Sequence, residues 1–285
     1  MLLLQILVNG VLLGGLYGLM ALGMALIWGV LNVVNLAHGA LIMLGGYVVY
    51  YLFTGVGIDP FLALPIAALV MFVLGYLLQR YILNLIVRSP MLNTLLITFG
   101  LNVVITYLAQ LLFSADFRTI NPGYAGMNFN VGGITVPVVS LAAFVIALVL
   151  ATLVWLLLNR ASLGRAIRAT SQNLVAARLY GVDPRRIYAI TFGIGAALAG
   201  ISGGLFGVLT HLTPYVGASL TAKSFVIAIL GGLTNPFYVI VGGIVVGIAE
   251  QLASLYLGST YTDVISFGLL VVILIVRPAR SLRAA

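Results

Sequence analysis

The side chains that could do chemistry are few and widely spaced. The chain carries two histidines, five acidic residues, one lysine and no cysteine. It contains no zinc-protease, nucleophile-elbow or Walker A motif, and Gly193 and Gly195 lie inside an apolar run rather than after a strand. The sequence therefore predicts no catalytic site, no metal site and no enzyme. Any energy source must be an ion gradient or a partner protein.

Polar side chains interrupt one apolar run near the N-terminus. Asn32, Asn35 and His38 fall within the run LNVVNLAHGALIMLGGYVVYYL, and Gly39 follows the histidine. Polar groups at membrane depth are costly unless they face a cavity or a partner helix. Two interpretations remain open: His38 forms a hydrogen bond inside the bundle, or Asn35, His38 and Gly39 line a translocation path. We expect a neutral imidazole that holds Asn35 or a backbone carbonyl, because burying the charged form is expensive.

Glu250 lies in a later apolar run, beside Gln251. An intramembrane acid can serve as the proton or sodium site of a secondary transporter. The alternatives are a position near the outer end of its span or an ion pair with Lys223, and we favour these. An ion-coupled relay would depend on Glu250 and His38 alone.

The composition sets the class of protein. Of the 285 residues, 63% are hydrophobic and 6% are charged, whereas a soluble domain has roughly 25% charged residues. The sequence predicts an all-α, polytopic integral membrane bundle of about eight spans, including broken or re-entrant helices, in a single domain over residues 1–285. Because basic residues flank the apolar runs, the net charge of +8 indicates positive-inside topology and contact with anionic lipid headgroups, with no nucleic acid partner.

A basic segment, residues 160–186, holds six of the thirteen basic residues and one acid, Asp183. Arginine in short loops resists translocation, so this segment is expected on the cytoplasmic side. Asn173 can cap a helix over residues 174–180, Gly181 suits the position after its end, and Pro184 blocks continuation. The helix is either a contact for a cytoplasmic partner or part of a segment that only fixes topology.

A second break is predicted near the C-terminus. Residues 223–232, KSFVIAILGG, give only about 15 Å of helix, and a span needs about 30 Å. Arg186 and Arg277 are both expected inside, so we interpret the short segment as a re-entrant half-helix. Its tip, Gly231 and Gly232, is a second candidate lining of the path. Full spans are expected at residues 4–28, 31–52, 61–79, 91–113, 138–158, 187–210, 237–257 and 263–276, with residues 114–137 as an outer loop and Arg280 and Arg283 also placing the C-terminus inside.

Several of these stretches resemble the permease subunits of branched-chain amino-acid ABC importers, in the same order along nearly the whole chain. They are residues 35–39 (NLAHG), 164–169 (GRAIRA), the Gly/Ala helix 190–204, and residues 224–232 followed by Gly242 and Gly243. Ala176, Ala177 and Gly181 resemble the Glu-Ala-Ala-xxx-Gly signature of importer coupling loops. The chain departs from that signature because Val175 replaces the acid and no Leu-Pro pair ends it.

The resemblance implies a role that the residues alone do not. The chain would be one half of a pathway, paired with a second permease, driven by two cytoplasmic ATPase subunits and supplied by an extracytoplasmic solute-binding protein. The ATPases would use ATP and Mg, and this chain would bind no cofactor. The loop at residues 160–186 would couple to the ATPases through Arg165, Arg168, Asn173, Ala176, Ala177 and Gly181.

The expected cargo is leucine, isoleucine, valine or a related small solute, moved across a bacterial or archaeal cytoplasmic membrane. Urea, amides and other amino acids are the alternatives within the same family. A stand-alone ion-coupled secondary transporter and a membrane-embedded structural or enzymatic subunit are the rival functions.

Overall fold

The computed structural model describes residues 1–87, 90–233, 235–258, 267–269, 271 and 275. Within these residues the chain is a helical bundle with one short β-hairpin, which confirms the predicted all-α membrane fold. The elements are α1 (Leu2–Leu31), α2 (His38–Val56), α3 (Pro60–Tyr81), α4 (Met91–Phe113), β1 (Asn128–Val131), β2 (Ile134–Pro137), α5 (Val138–Arg160), α6 (Ser162–Gln172), α7 (Leu174–Leu179), α8 (Pro184–Leu209), α9 (Val216–Gly231) and α10 (Pro236–Leu257), with a 3₁₀ turn at Leu83–Leu85.

Seven helices in the described part of the chain are long and apolar enough to cross a membrane: α1, α2, α3, α4, α5, α8 and α10. The predicted last span, residues 263–276, lies largely outside the described residues, as do Arg277, Arg280 and Arg283. The inside position of the C-terminus therefore stays a prediction.

Three of the helices begin with the same local sequence, a capping residue followed by proline. Asp59, Asp183 and Asn235 each accept a hydrogen bond from a backbone N–H of the first turn, and the next residue is proline. Proline suits this position because its fixed φ is helical and its missing N–H has no partner there anyway. The starts of α3, α8 and α10 are thus fixed by dipeptides visible in the sequence.

The core is built around α1, of which 89% is buried in its most apolar window. It runs antiparallel to α10, and glycines allow the two backbones to meet. A Cβ on Gly18 would lie 2.8 Å from the Cα of Ile240, and Gly14 and Gly243 pack as tightly. Small residues one turn apart are what membrane helices use for close approach. By contrast, α4 and α5 are only 11% and 22% buried, so most of their surface faces outward.

The β-hairpin marks one end of the bundle, which we call the hairpin end. The Gln5 amide donates to the Thr135 carbonyl at 2.6 Å and accepts from the Thr135 N–H at 2.8 Å. The Tyr124 hydroxyl donates to Asp59 at 2.7 Å, and burial together with this bond raises the pKa of Tyr124. The starts of α1 and α3 therefore lie at the hairpin end.

The opposite end carries residues 160–186, and we call it the basic end. Leu31, at the end of α1, lines a cavity there with Leu174 and Tyr188. Leu233 and Pro236, just before and at the start of α10, lie beside Leu158 at the end of α5. Hence α1 runs from the hairpin end to the basic end, and α10 runs back.

The predicted half-helix at residues 223–232 is wrong in its extent and in the position of its tip. The structure has a 16-residue helix, Val216–Gly231, which returns the chain to the basic end where α10 begins. Gly231 packs against the backbone of Tyr238 and Val239 in the first turn of α10. With α9 as a pass, α8, α9 and α10 and the span predicted after Leu257 make four, which would return Arg277 to the basic end, whereas a re-entrant segment with three full spans would not. That last span stays a prediction.

Candidate functional site

The helical path is interrupted between α1 and α2 by residues 32–37, which we call the break segment. Helix α1 ends at Leu31, and the next residue, Asn32, has a left-handed φ of 53°. The side chain of Asn35 accepts a hydrogen bond from the Ala37 N–H at 3.1 Å, and the His38 N–H reaches the Asn35 carbonyl at 3.2 Å. This turn starts α2. Asn35 itself is 1% exposed and Val33, Val34 and Ala37 are also buried, so the middle of this non-helical segment is covered by protein, as backbone at membrane depth must be.

His38 is fully buried and joins the start of α2 to the middle of α1. Its Nε2 atom lies 2.9 Å from the carbonyl oxygen of Met20. A carbonyl only accepts, so Nε2 carries the proton. Within the described residues, neither His38 Nδ1 nor Asn35 Nδ2 has a protein partner. The contact agrees with the expectation that His38 holds a neighbouring backbone carbonyl, and it leaves the buried Nδ1 atom without a protein partner among the described residues.

Gly39 is where α2 and α9 make their closest approach. A methyl group on Gly39 would overlap the carbonyl oxygen of Gly217. The Thr221 hydroxyl accepts from the Gly39 N–H at 2.8 Å and lies 2.9 Å from the Gly217 carbonyl and 3.3 Å from the Leu36 carbonyl. Thr221 thus connects α9 to the break segment and to α2. We call Asn35, His38, Gly39, Gly217 and Thr221 the neutral cluster.

An open groove of about 520 Å³ lies beside the neutral cluster, between α4, α9 and the break segment. The polar side chains on its lining are those of Asn102 and Thr221, and Asn102 Oδ1 has no partner among the described residues. A largely apolar cavity with a few polar groups is the usual form of a small-molecule site. The lining residues are Val34, Leu36, Leu95, Phe99, Asn102, Ala218, Thr221, Ala222, Phe225 and Phe267.

A second set of polar side chains, Lys223, Glu250 and Tyr17, lies on the other side of α9, and we call it the charged cluster. The Lys223 ammonium is 3.0 Å from the Glu250 carboxylate. The Tyr17 hydroxyl donates to the other oxygen of Glu250 at 2.9 Å, and the ammonium lies 3.4 Å from that hydroxyl and 5.0 Å from the centre of the ring. The predicted pair between Lys223 and Glu250 is confirmed, and it links α1, α9 and α10.

The structure does not bring Gly231 and Gly232 to the neutral cluster. Because α9 is helical throughout Val216–Gly231, Gly231 lies about 15 Å along the axis from Thr221. Gly232 has a φ of 78° and open space around its Cα, so it ends the helix at the basic end. The signal that was missed is the stretch VGASLT before Lys223, which continues α9 towards Gly39.

In the basic segment, the predicted short helix is confirmed as α7. The Asn173 side chain accepts from the N–H groups of Val175 and Ala176, each at 3.0 Å, and Gly181 has a φ of 79°. Ala177 is 3% exposed and therefore packs inside the chain. The outward surface belongs instead to Val175 and Leu179 of α7 and to Tyr180 just after it, which are 68%, 83% and 89% exposed.

The two arginines expected to couple to an ATPase have different surroundings. Arg165 is exposed on α6. The guanidinium of Arg168 donates to the carbonyl of Leu158 and lies 3.4 Å from the side chain of Asn159. Arg168 therefore joins α6 to the last turn of α5, where a cation also complements the helix dipole. Its contacts stabilise the loop itself.

Apolar spanning helices, a non-helical segment between two of them and a polar cluster beside a groove define a multi-pass membrane protein of the transporter class. The model of the family described as branched-chain amino acid transport system / permease component matches residues 6–274. The chain belongs to this family.

Three relatives of the chain illustrate the match. The chain is 31% identical to the high-affinity branched-chain amino acid transport system permease protein LivH of Escherichia coli K12, over 96% of this chain and 94% of that protein. It is 30% identical to the corresponding permease protein BraD of Pseudomonas aeruginosa, with the same coverage. It is also 30% identical to the permease protein LivM of E. coli K12, over 92% of this chain and 66% of that protein. No solved structure matches the chain.

Proposed function

We propose that this chain is one of two permease subunits of an ATP-driven importer of branched-chain amino acids. The observation that carries the proposal is the largely apolar groove beside the neutral cluster, in a chain of this permease family. The side chains of leucine, isoleucine and valine are aliphatic, and burying apolar surface drives their transfer into such a groove. The amide of Asn102 and the hydroxyl of Thr221 would orient the amino and carboxyl groups.

A second permease subunit would close the groove. Helix α4, which forms one side of it, is only 11% buried in this chain, so a large apolar surface is left for another protein or for lipid. Two relatives, LivH and LivM, are both named as permease proteins of a high-affinity branched-chain amino acid transport system. We infer that the substrate passes between this chain and a second, similar subunit.

Cytoplasmic ATPase subunits would supply the energy and would bind the ATP and Mg in place of this chain. Val175 and Leu179 of α7 and Tyr180, which follows its last residue, are exposed at the basic end and would form the docking surface. The basic end would face the cytoplasm and the hairpin end the extracytoplasmic side, where a solute-binding protein would deliver the cargo.

A stand-alone secondary transporter has less support. It requires an ionisable relay in the spanning helices, and Glu250 is already paired with Lys223 and hydrogen-bonded to Tyr17. The apolar lining of the groove also favours aliphatic side chains over urea and short amides, which would leave its apolar surface uncovered.

The experiment is reconstitution of the chain with its permease partner, ATPases and binding protein in liposomes. Uptake of leucine, isoleucine and valine should require ATP hydrolysis and persist with a proton ionophore, and urea and acetamide should not compete. Uptake that follows a proton or sodium gradient without ATP would contradict the importer assignment. Competition by amides but not by valine would contradict the substrate. Cysteine labelling at Gln172, in this cysteine-free chain, should occur only from the ATPase side.

A further inference from the structure

The basic end carries a cavity of about 540 Å³ that neither the groove nor α7 uses. It lies where the last turn of α3 meets the start of α8, and residues of α6 and α7 do not contribute to its described lining. Three of the lining side chains are the arginines Arg80, Arg185 and Arg186, and one is the acid Asp183. The full lining is Tyr76, Arg80, Asn84, Asp183, Arg185, Arg186 and Ala189.

The arginine on α3 is held in place by its own helix. Arg80 Nη1 donates to the Tyr76 hydroxyl at 2.8 Å, and its guanidinium carbon lies 5.9 Å from the ring centres of both Tyr76 and Tyr81. Stacking and this hydrogen bond limit its freedom, so less entropy is lost when the guanidinium binds a ligand. Arginine presents paired donors that match the oxygen atoms of a phosphate.

The α8 side of the cavity also favours an anion. Asp183 caps the helix, its Oδ1 accepting from the Arg185 N–H at 3.0 Å, and Asn84 donates to the Arg185 carbonyl at 3.2 Å. These bonds fix the start of a 26-residue helix, whose N-terminal dipole adds positive potential. With three arginines and one aspartate in the lining, a net positive charge of about two remains at neutral pH.

The face of α3 that leads to the cavity is apolar and exposed. Leu62, Leu69, Val73 and Leu77 are 71%, 65%, 47% and 43% exposed and follow one another along the helix towards Arg80. An apolar outward face of a membrane helix contacts acyl chains unless another subunit covers it. The arginine cavity thus stands at the basic end of a lipid-facing stripe, where a phospholipid headgroup lies.

We propose that the cavity of Arg80, Arg185 and Arg186 is a binding site for one anionic phospholipid. Its phosphate lies among the guanidinium groups, and its acyl chains run along Val73 and Leu77 of α3. Basic pockets between helices on the cytoplasmic side suit such headgroups. This site goes beyond the transport function, because it does not depend on which solute the groove carries.

The test measures lipid binding by native mass spectrometry on the delipidated full chain, purified with its partner subunits. Phosphatidylglycerol and phosphatidylcholine with identical acyl chains are titrated against wild type and the double variant Arg80→Gln/Arg186→Gln. Since each interfacial arginine contributes about fivefold in affinity, the variant should bind phosphatidylglycerol at least about tenfold more weakly, with phosphatidylcholine unchanged.

The matched control is Arg160→Gln/Arg165→Gln, which removes the same charge from exposed arginines of the basic segment outside the cavity. It should change phosphatidylglycerol binding by less than about twofold. Equal losses in both variants would overturn the proposal, because binding would then follow net charge alone. Should the double variant give too little folded protein, Arg186→Gln alone serves, since this side chain is exposed, and an unchanged affinity would count against the site.

Two further results would overturn the proposal by assigning the cavity another ligand. Displacement of the lipid by millimolar inorganic phosphate would make it a site for a free anion. Loss of ATPase co-purification in the double variant, with phosphatidylglycerol binding intact, would make it a subunit contact. The lipid site is supported if wild type keeps phosphatidylglycerol in the presence of phosphate, and if the cavity variant loses phosphatidylglycerol but still co-purifies with the ATPases.

Discussion

Helix α9 has two polar clusters on opposite sides, and they differ in charge and in how completely they are paired. Thr221 and Lys223 are two residues apart, which places them about 200° apart around the helix. On the Lys223 side, an ammonium, a carboxylate and a phenol satisfy one another at 2.9–3.4 Å. On the Thr221 side, Asn35 Nδ2 and His38 Nδ1 have no protein partner in the described part of the chain.

The difference separates a structural role from a functional one. A charged group inside a bundle is tolerated when paired, and its pairing fixes the relative position of the helices that carry it. The charged cluster therefore acts as a clamp between α1, α9 and α10. The unpaired atoms of Asn35 and His38 are buried behind Thr221, which itself lines the groove. Because the described residues leave their hydrogen-bonding capacity unused, the neutral cluster remains the candidate for the path.

The largest effect should come from breaking the clamp. Lys223→Met leaves the Glu250 carboxylate, itself 3% exposed, without its lysine counterion. Removing one partner of a buried pair costs about 3–5 kcal/mol, so we expect little folded protein by gel filtration and a lower melting temperature.

The control is the double variant Lys223→Met/Glu250→Gln, which removes both charges and should recover most of the folded protein and of its uptake. If this variant folds but does not transport, the ions take part in translocation. The comparison between a clamp and a path would then have to be reversed.

A smaller loss of uptake is expected from disturbing the contact between Gly39 and Gly217 in the neutral cluster. Gly39→Ala places a methyl group against the Gly217 carbonyl. Overpacking of this kind costs about 1–3 kcal/mol, and by separating α2 from α9 it should lower uptake about tenfold. Gly55→Ala is the control on the same helix, because no atom lies within 4 Å of a Cβ there. Equal uptake by the two variants would show that the contact between Gly39 and Gly217 is not needed.

A third prediction removes the energy input while leaving both clusters intact. Leu179→Asp changes a side chain that is 83% exposed on α7, so the fold should be unaffected. If α7 docks on an ATPase, losing an apolar contact residue should cost about 2 kcal/mol of binding and reduce co-purification and ATP-driven uptake together. Ala177→Arg is a different test, because Ala177 is buried and an arginine in its place should destabilise α7 itself. Normal uptake by the Leu179 variant would exclude this surface as the docking site.

Much of the fold can be predicted from the sequence, because membrane spans depend on the length of apolar runs and on local helix capping. The pairs Asp59-Pro60, Asp183-Pro184 and Asn235-Pro236 fix where helices begin, and Asn173 fixes α7. These features act over a few residues, so a single sequence contains all the information they need.

The parts that sequence reasoning missed depend on contacts between distant residues. The pair Gly231-Gly232 was interpreted as a helix break at membrane depth. In the structure, α9 extends further towards the N-terminus, and its Gly217 packs against Gly39 of α2. Thr221 has no pattern that distinguishes it from any other hydroxyl in an apolar helix. Tyr17 joins Lys223 across 206 positions, so its role in the clamp depends on the packing of α1 against α9.

The smallest effect is expected from a change that keeps the hydrogen bond of His38 but removes its ability to titrate. His38→Gln can still donate to the Met20 carbonyl, which the imidazole Nε2 reaches at 2.9 Å, and it retains an acceptor. We therefore expect uptake within about threefold of wild type, since a retained donor avoids the cost of about 1–3 kcal/mol for an unmade buried bond.

The contrast with His38→Leu decides what His38 does in the neutral cluster. Leucine fills a similar volume but cannot donate, so it should lose more uptake than glutamine, with both variants reaching the membrane in wild-type amounts. If His38 works as a neutral hydrogen-bond donor, wild type and His38→Gln should share one pH profile of ATP-driven uptake. A glutamine variant as inactive as the leucine variant, or with a different pH profile, would mean that the imidazole carries protons. The neutral cluster would then contain the ionisable relay that the paired Glu250 does not supply.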